Sequence, residues 1–399
     1  MKVLLVNKFH FLKGGAERFY FTLAQAFESL NDEVCFFSMQ DELNVSCKQE
    51  KFFVKHASTE GNIFSKIRLI RNMRYNKSAY KKMTALLRQE NPQLVVVNNF
   101  HKHLTFSVIK AIKDYNLNLP VVWVAHDLIG VCPVYTMING KGEMCDKCLD
   151  GNYFHCVENR CVRGSKFLSK LSAKEAKSIK DHNYYSLFDK VVCPSKFYAD
   201  TLIKGGFDKE KVMPLTNPLS IDFKYETYSE HKNYLFFFGR LSKEKGVDLL
   251  IEAVKGSDKQ LIIAGTGPEE KYLKELAFGC DNIKFVGFKK GEELEELIKN
   301  AKFVCVPSLC ENCSYSIMES LAKGKPCIAT NVGGNPELVK NGVNGFLFET
   351  VEQLRELINK DFSEEEYLEM CKNATKFAIE KFDAKKYVKT IKRIVALDK

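Results

Sequence analysis

The feature that most constrains this 399-residue chain is a repeated alternation of short apolar runs with helix-length amphipathic segments. In the first half the runs are Val3–Val6, Glu33–Ser38, Leu94–Asn98, Val121–Ala125 and Val191–Pro194. In the second half they are Tyr234–Phe238, Gln260–Ala264, Ile283–Val286, Phe303–Val306 and Cys327–Ala329. Helical patterns at Val247–Val254, Glu269–Leu276, Glu292–Asn300 and Ile317–Lys323 separate the second set. Such runs predict parallel strands covered on both faces by helices. The series occurs twice, and 399 residues exceed the ~250–300 that one core organises. Two doubly wound α/β domains are therefore expected, facing each other across a cleft at the carboxyl ends of their strands. The polar, poorly periodic stretch 216–232 marks the boundary, and Phe382–Leu397 reads as a terminal helix.

Composition narrows the class. A charged fraction of 28% with 45% hydrophobic residues excludes a mainly disordered chain. No apolar run approaches the ~20 residues that span a bilayer. Val3–Val6 falls short of the ~7–15 apolar residues of an export signal, so a soluble cytoplasmic protein is expected. The net charge of +10 lies wholly in residues 1–200, which carry 29 basic and 19 acidic side chains. Two stretches concentrate it, 61–90 and 160–180. In the first, Ile63, Ile67, Ile70, Met73, Tyr80, Met83 and Leu87 recur near helical spacing among basic residues, giving an amphipathic basic helix. Its apolar stripe suits core packing, and its charged side suits anionic headgroups.

Three glycine-bearing or acidic segments carry the chemistry. Gly14-Gly15 follows the first strand and opens a helix near Ala16, where backbone N–H groups can approach a phosphate. A tight turn without ligand is the plain alternative. Gly239-Arg240-Leu-Ser-Lys-Glu-Lys245-Gly246 directly follows the strand YLFFF, placing Arg240 and Lys245 at its carboxyl end. Arginine offers a planar fork to a diphosphate and lysine a point charge. In the third, Glu311 sits in a loop and Glu319 about a turn into the next helix. A carboxylate there can accept both hydroxyls of a ribose. The N–H groups from Asn312, Cys313, Ser314 and Tyr315 to Ser316 open that helix toward an anion.

In their order, GRLSKEKGVDLLIEA, LIIAGTGPEE, IKFVGF, the Glu311-to-Glu319 spacing and GKPCIATNVGGNPELVKNGVNGFLF resemble the donor domain of family 4 of the retaining glycosyltransferases. These enzymes have the two-domain GT-B fold. The match is close over about 234–350 and looser in the first domain, through GGAE at 14–17, His126-Asp127 and NPLSIDF. The resemblance implies an acceptor-side domain over 1–222, with a C-terminal helix at 383–399 packed back on it, and a donor domain over 223–382. It assigns Arg240 and Lys245 to the diphosphate of a nucleotide-sugar, Glu311 to the transferred sugar and Glu319 to the ribose. Gly15 matches the loop near the donor phosphates, and His126 a first-domain contact to the sugar, with Asp127 in an orienting role. No catalytic cofactor is implied, because Arg240, Lys245 and a helix N-terminus supply the charge that Mg²⁺ supplies elsewhere. The family commonly has Glu-Gly-Phe-Gly where this chain has Glu311-Asn312-Cys313-Ser314, a departure expected to tune the sugar.

Five of the 14 cysteines fall between Cys132 and Cys161. Cys145-x2-Cys148 followed by Cys156-x4-Cys161 suits a structural tetrathiolate zinc, with Cys132 or His155 as substitutes. Free or redox-active thiols remain the other reading, and Cys-rich inserts resemble those of some family members. The expected partners are a nucleotide-sugar and a saccharide or lipid-linked acceptor, with peripheral contact at the inner membrane face and no nucleic acid. A nucleotide-sugar epimerase and a zinc-stapled nucleic-acid-binding protein are the competing readings. The second lacks any recognised nucleic-acid motif.

Overall fold

A computed structural model describes residues 1–55, 75–227 and 230–396. The chain divides into two compact units. The first runs from Met1 to Ile221 and takes in the C-terminal helix; the second is Asp222–Asp383.

Each unit is built on a six-stranded sheet with every pairing parallel. In the first, β1 (Lys2–Val6), β2 (Glu33–Phe37), β3 (Leu94–Val97), β4 (Val121–Val124), β5 (Lys190–Cys193) and β6 (Val212–Pro214) lie in the order β2-β1-β3-β4-β5-β6. In the second, β7 (Tyr234–Phe238), β8 (Gln260–Ala264), β9 (Ile283–Gly287), β10 (Ala301–Val306), β11 (Cys327–Thr330) and β12 (Gly345–Phe348) lie in the order β9-β8-β7-β10-β11-β12. The central strands LVVV, VVWV and YLFFF are buried at every position, as helices on both faces require. Trp123 on β4 anchors the first core, stacked on Tyr185 at 5.1 Å and Phe188 at 5.6 Å.

Strands β6 and β12 were not expected, nor was the two-residue pair Met39–Gln40 with Val54–Lys55. β6 is three residues ending in proline, too short for a periodic signal, and is recruited only by pairing with β5. The basic helix expected over 61–90 is seen as Lys77–Glu90, with Met83 and Leu87 buried in the core; Ile63, Ile67, Ile70 and Met73 lie outside the described residues.

Helix α1 (Gly15–Glu28) packs against the C-terminal helix, Ala384–Ala396, where Phe19 meets Tyr387 edge-on at 5.5 Å and Lys392 pairs with Asp32. In the second unit Glu226 pins the incoming chain. Its carboxylate meets Lys323 and Lys299, both at 2.9 Å, and its carbonyl accepts from Thr375 Oγ1 at 2.7 Å. Lys325, fully buried nearby, has its pKa lowered to about 8 by burial, with the Glu226 carboxylate pulling the other way.

A lysine held near 8 binds fewer protons in the folded chain than in the unfolded one until its ordinary 10.5 is reached. The penalty is complete below about pH 8 and fades as the pH rises from there to 10.5. Lys325→Met should therefore be more stable than the parent at pH 7 and lose that advantage through this window. Denaturant melts from pH 6 to 10.5 check it; a variant no more stable at pH 7 contradicts the assignment.

Candidate active site

In open α/β sheets the ligand crevice lies where strand order reverses, outside the carboxyl ends. In the second unit that point falls between β7 and β10. The loop after β7 carries Arg240 and Lys245, and the loop after β10 carries Glu311 before α2, defined as Tyr315–Ala322. The topology thus brings together residues separated by about seventy positions. Lys245 Nζ donates to Glu311 Oε2 at 2.7 Å, with side-chain exposures of 29% and 12%. Burial draws the Lys245 pKa down, but the Glu311 carboxylate outweighs it, so the net shift is upward and the ammonium stays charged. Arg240 is exposed on the same loop.

The two loops are locked at the backbone. Leu309 N–H donates to Glu244 O at 2.8 Å, and Ser316 Oγ donates to the carbonyl of Phe238, the last residue of β7. Gly246, at φ +59°, lies against the Pro307 carbonyl, where a Cβ would sit 2.2 Å from the oxygen. Gly333, at φ +56°, does the same against Glu311, leaving 2.0 Å to its carbonyl, which also accepts from Gly334 N–H at 3.0 Å. Only glycine fits both the left-handed backbone and the close approach. Gly246 and Gly333 had no assigned role in the sequence reading, although the GGNPE motif contained the second.

Helix α2 begins after Ser314, whose side chain makes no cap, so its first N–H groups are not satisfied by that hydroxyl. Glu319, one turn in, is only 7% exposed. Asn312 and Cys313 lie in the loop between, and the Cys313 thiol contacts Met318 Sδ at 3.5 Å.

In the first unit the reversal falls between β1 and β3. Asn7, fully buried, joins the two loops there: its Nδ2 donates to Glu17 at 3.2 Å, and its Oδ1 accepts from Asn99 N–H at 3.1 Å. Gly15 is the first residue of α1, and the Glu17 carboxylate is buried in that helix's first turn. His126 follows β4, with Nε2 3.2 Å from Asn98 Oδ1 and its ring edge-on to Phe19 at 4.7 Å. Burial lowers its pKa to about 3, so the imidazole is neutral. Asp127 accepts from Ile129 N–H at 3.1 Å, closing the next turn. The side chain that meets the His126 Nε2 is Asn98, which the sequence reading had not singled out.

The cysteine-rich insert gathers its thiols without ligating geometry. Cys156 and Cys161 are hydrogen-bonded to each other, and burial pushes the Cys148 and Cys156 thiols up to about 12. Among the described residues no group of three or more His, Cys, Asp or Glu is arranged to hold a metal ion, the set Cys145, Cys148, Cys156 and Cys161 included. The His155 ring lies 3.3 Å from Glu158 and 3.5 Å from Asp150.

Two loops thus meet at the reversal of a 3-2-1-4-5-6 sheet, with a lysine–glutamate pair and a helix N-terminus, at the place where open α/β sheets take their ligands. Residues 13–223 match the family described as Glycosyltransferase Family 4, and residues 221–394 match Glycosyl transferases group 1. The chain belongs to glycosyltransferase family 4 and has the GT-B arrangement of two Rossmann-like domains. It is 29% identical over 214 residues to an uncharacterized glycosyltransferase of Methanocaldococcus jannaschii, covering 52% of this chain and 59% of the relative. To the GDP-mannose-dependent alpha-mannosyltransferase of Corynebacterium glutamicum it is 34% identical over 147 residues, 37% of this chain and 35% of the relative. The matches thus span between about a third and three-fifths of these relatives' lengths. In fold it is similar to the Anabaena protein HepE in complex with UDP (TM-score 0.66, 18% identity, 99% and 100% covered). It is also similar to sucrose-phosphate synthase from Thermosynechococcus elongatus (TM-score 0.71, 16% identity, 99% and 97% covered). No described helix is long and apolar enough to cross a membrane.

Proposed function

We propose that the chain moves a sugar from a nucleotide-sugar to a saccharide or lipid-linked acceptor with retention at the anomeric carbon, in cell-surface polysaccharide or glycolipid synthesis. The Lys245–Glu311 pair at the reversal of the second sheet carries the reading. A diphosphate entering there competes with Glu311 for the lysine, which frees the carboxylate for the sugar's hydroxyls. Arg240, Lys245 and the N–H groups of Asn312, Cys313, Ser314 and Tyr315 stabilise charge on the leaving diphosphate, and Glu319 holds the ribose. Gly15 and the neutral His126 contribute contacts from the first unit. Relatives are named for GDP-mannose and UDP-Gal, so the base is left to experiment.

A panel of GDP- and UDP-sugars tested for thermal stabilisation checks the donor site. A ligand at a hundred times its Kd adds about 2.7 kcal/mol to stability. At least one should raise the melting temperature, and Arg240→Ala and Glu319→Ala should lose most of the rise. No stabilising nucleotide-sugar, or unchanged variants, contradicts the assignment. Epimerisation of donor incubated alone would favour the epimerase, and anomeric proton NMR of the product reads the stereochemistry.

Two accompanying readings rest on local physics. The insert's own core is Tyr153, Val157 and Ala173, too small to hold a loop with left-handed backbone at Tyr135, Met137, Arg160 and Arg163. A zinc drawn in by Cys145, Cys148, Cys156 and Cys161 would staple it, with the thiols closing to ligand distance. Protein purified without chelator should then carry about one zinc per chain, and a metal-free preparation of full stability rules it out. The positive surplus of the first half suits an anionic membrane surface. Co-sedimentation with vesicles should rise with anionic lipid content; indifference to it removes membrane contact.

A further inference from the structure

The first unit has a cavity that the donor chemistry does not use. It has a volume of about 210 Å³ and lies beside the loop after β3, against the helix Lys166–Asp181. Its polar and aromatic walls include Tyr75, Lys102, Glu175, Ser178, His182 and Tyr184. The volume is below the ~300–1,000 Å³ of pockets for drug-sized ligands, which leaves room for one small ring.

The wall chemistry is specific. Lys102 sits at φ +69° and Thr105, a β-branched residue, at φ +62°, conformations that persist only where surrounding contacts enforce them. Thr105 is enforced: its Oγ1 accepts from Asn76 N–H at 3.2 Å and from Ser107 N–H at 3.3 Å. The loop thereby presents Lys102 to the cavity, where Glu175 faces it from the helix. Protein surrounds the rest of Glu175, and this burial pushes its carboxyl up while Lys102 pulls it down. Among the described residues neither side chain makes a hydrogen bond or ion pair. Beneath them His101 Nε2 meets Tyr185 OH at 3.0 Å; burial lowers its pKa to about 3, so the floor is polar without being charged. Tyr184 stacks between Phe106 at 5.1 Å and His182 at 5.3 Å, which fixes the aromatic wall.

A cation opposite a carboxyl gives little net field to reward a phosphate. It does give three N–H donors and two acceptor oxygens aimed into a space of single-ring size. That combination suits a ring carrying several hydroxyls. Lys102 is also within electrostatic range of Asp127, so the cavity lies at the same end of the first sheet as His126.

We propose that this pocket, with Lys102 and Glu175 as its polar clamp, binds one monosaccharide unit of the acceptor. The proposal rests on the transferase reading for its role but not for its test. The probes are the methyl glycosides of glucose, galactose, mannose and N-acetylglucosamine, with inorganic phosphate as the charged control. They are read by saturation-transfer NMR on the full chain, wild type, Glu175→Gln and Lys102→Asn, the asparagine being tolerant of left-handed backbone. At least one glycoside should bind the wild type. Each folded variant, checked by circular dichroism, should bind it about tenfold or more weakly, as for a lost charge-assisted hydrogen bond. Stabilisation by a nucleotide-sugar should be the same in all three proteins. No glycoside binding to wild type, variants that bind equally well, or displacement of the glycoside by millimolar phosphate would overturn the pocket assignment. Glycoside binding without any nucleotide-sugar effect would sink the donor site and leave the pocket standing.

Discussion

Everything functional in this chain depends on one topological constraint. Parallel strands can be joined only by crossovers, and the crossovers are right-handed, so a sheet that grows in both directions from its first strand must cover opposite faces on its two sides. Between β7 and β10 no crossover bridges the strand ends, which leaves room for the loops that follow the two strands to meet. Arg240, Lys245 and Glu311 occupy those loops, and the ion pair between the last two records how closely the topology sets them. The same rule in the first sheet places Asn7, Asn98 and Lys102 around the reversal of β1 and β3.

Most of the architecture was legible because parallel strands buried on both faces read as unbroken apolar runs. YLFFF and QLIIA needed no periodicity argument, and their observed bounds match the expected ones. Two of the missed strands take their character from a neighbour. Val212–Pro214 is a strand because β5 offers it an edge, and Met39–Gln40 because Val54–Lys55 lies alongside. Local sequence carries no trace of such partners.

The candidate site could be proposed from its charged residues, and much less from what holds them in place. Glu311 and Lys245 could be named because their chemistry is distinctive. The contacts that place them are backbone to backbone, such as Leu309 to Glu244 and Gly334 to Glu311, and these depend on no side-chain identity except glycine. Asn98 beside His126 shows the opposite limit. Asparagine after a strand is common, and only the distance to the imidazole distinguishes this one. His155 is a related case: its spacing suits a ligand set, and its ring lies 3.3 Å from Glu158 and 3.5 Å from Asp150, neighbours that spacing alone does not reveal.

The departure at Glu311-Asn312-Cys313-Ser314 acquires a physical explanation from the same contacts. Non-glycine residues in that loop would be costly if the backbone there were left-handed, yet none of the four has positive φ. The demand for glycine is met on the opposite strand of the contact, at Gly333, where the left-handed backbone and the 2.0 Å approach to Glu311 occur together. The backbone at Asn312 and Cys313 therefore does not itself require glycine. They lie beside Glu311 at the mouth of a helix, with Cys313 turned toward Met318. A loop built this way separates two requirements that one glycine-rich segment would combine. Gly333 sets where Glu311 stands, and the side chains at 312 and 313 are the ones beside it.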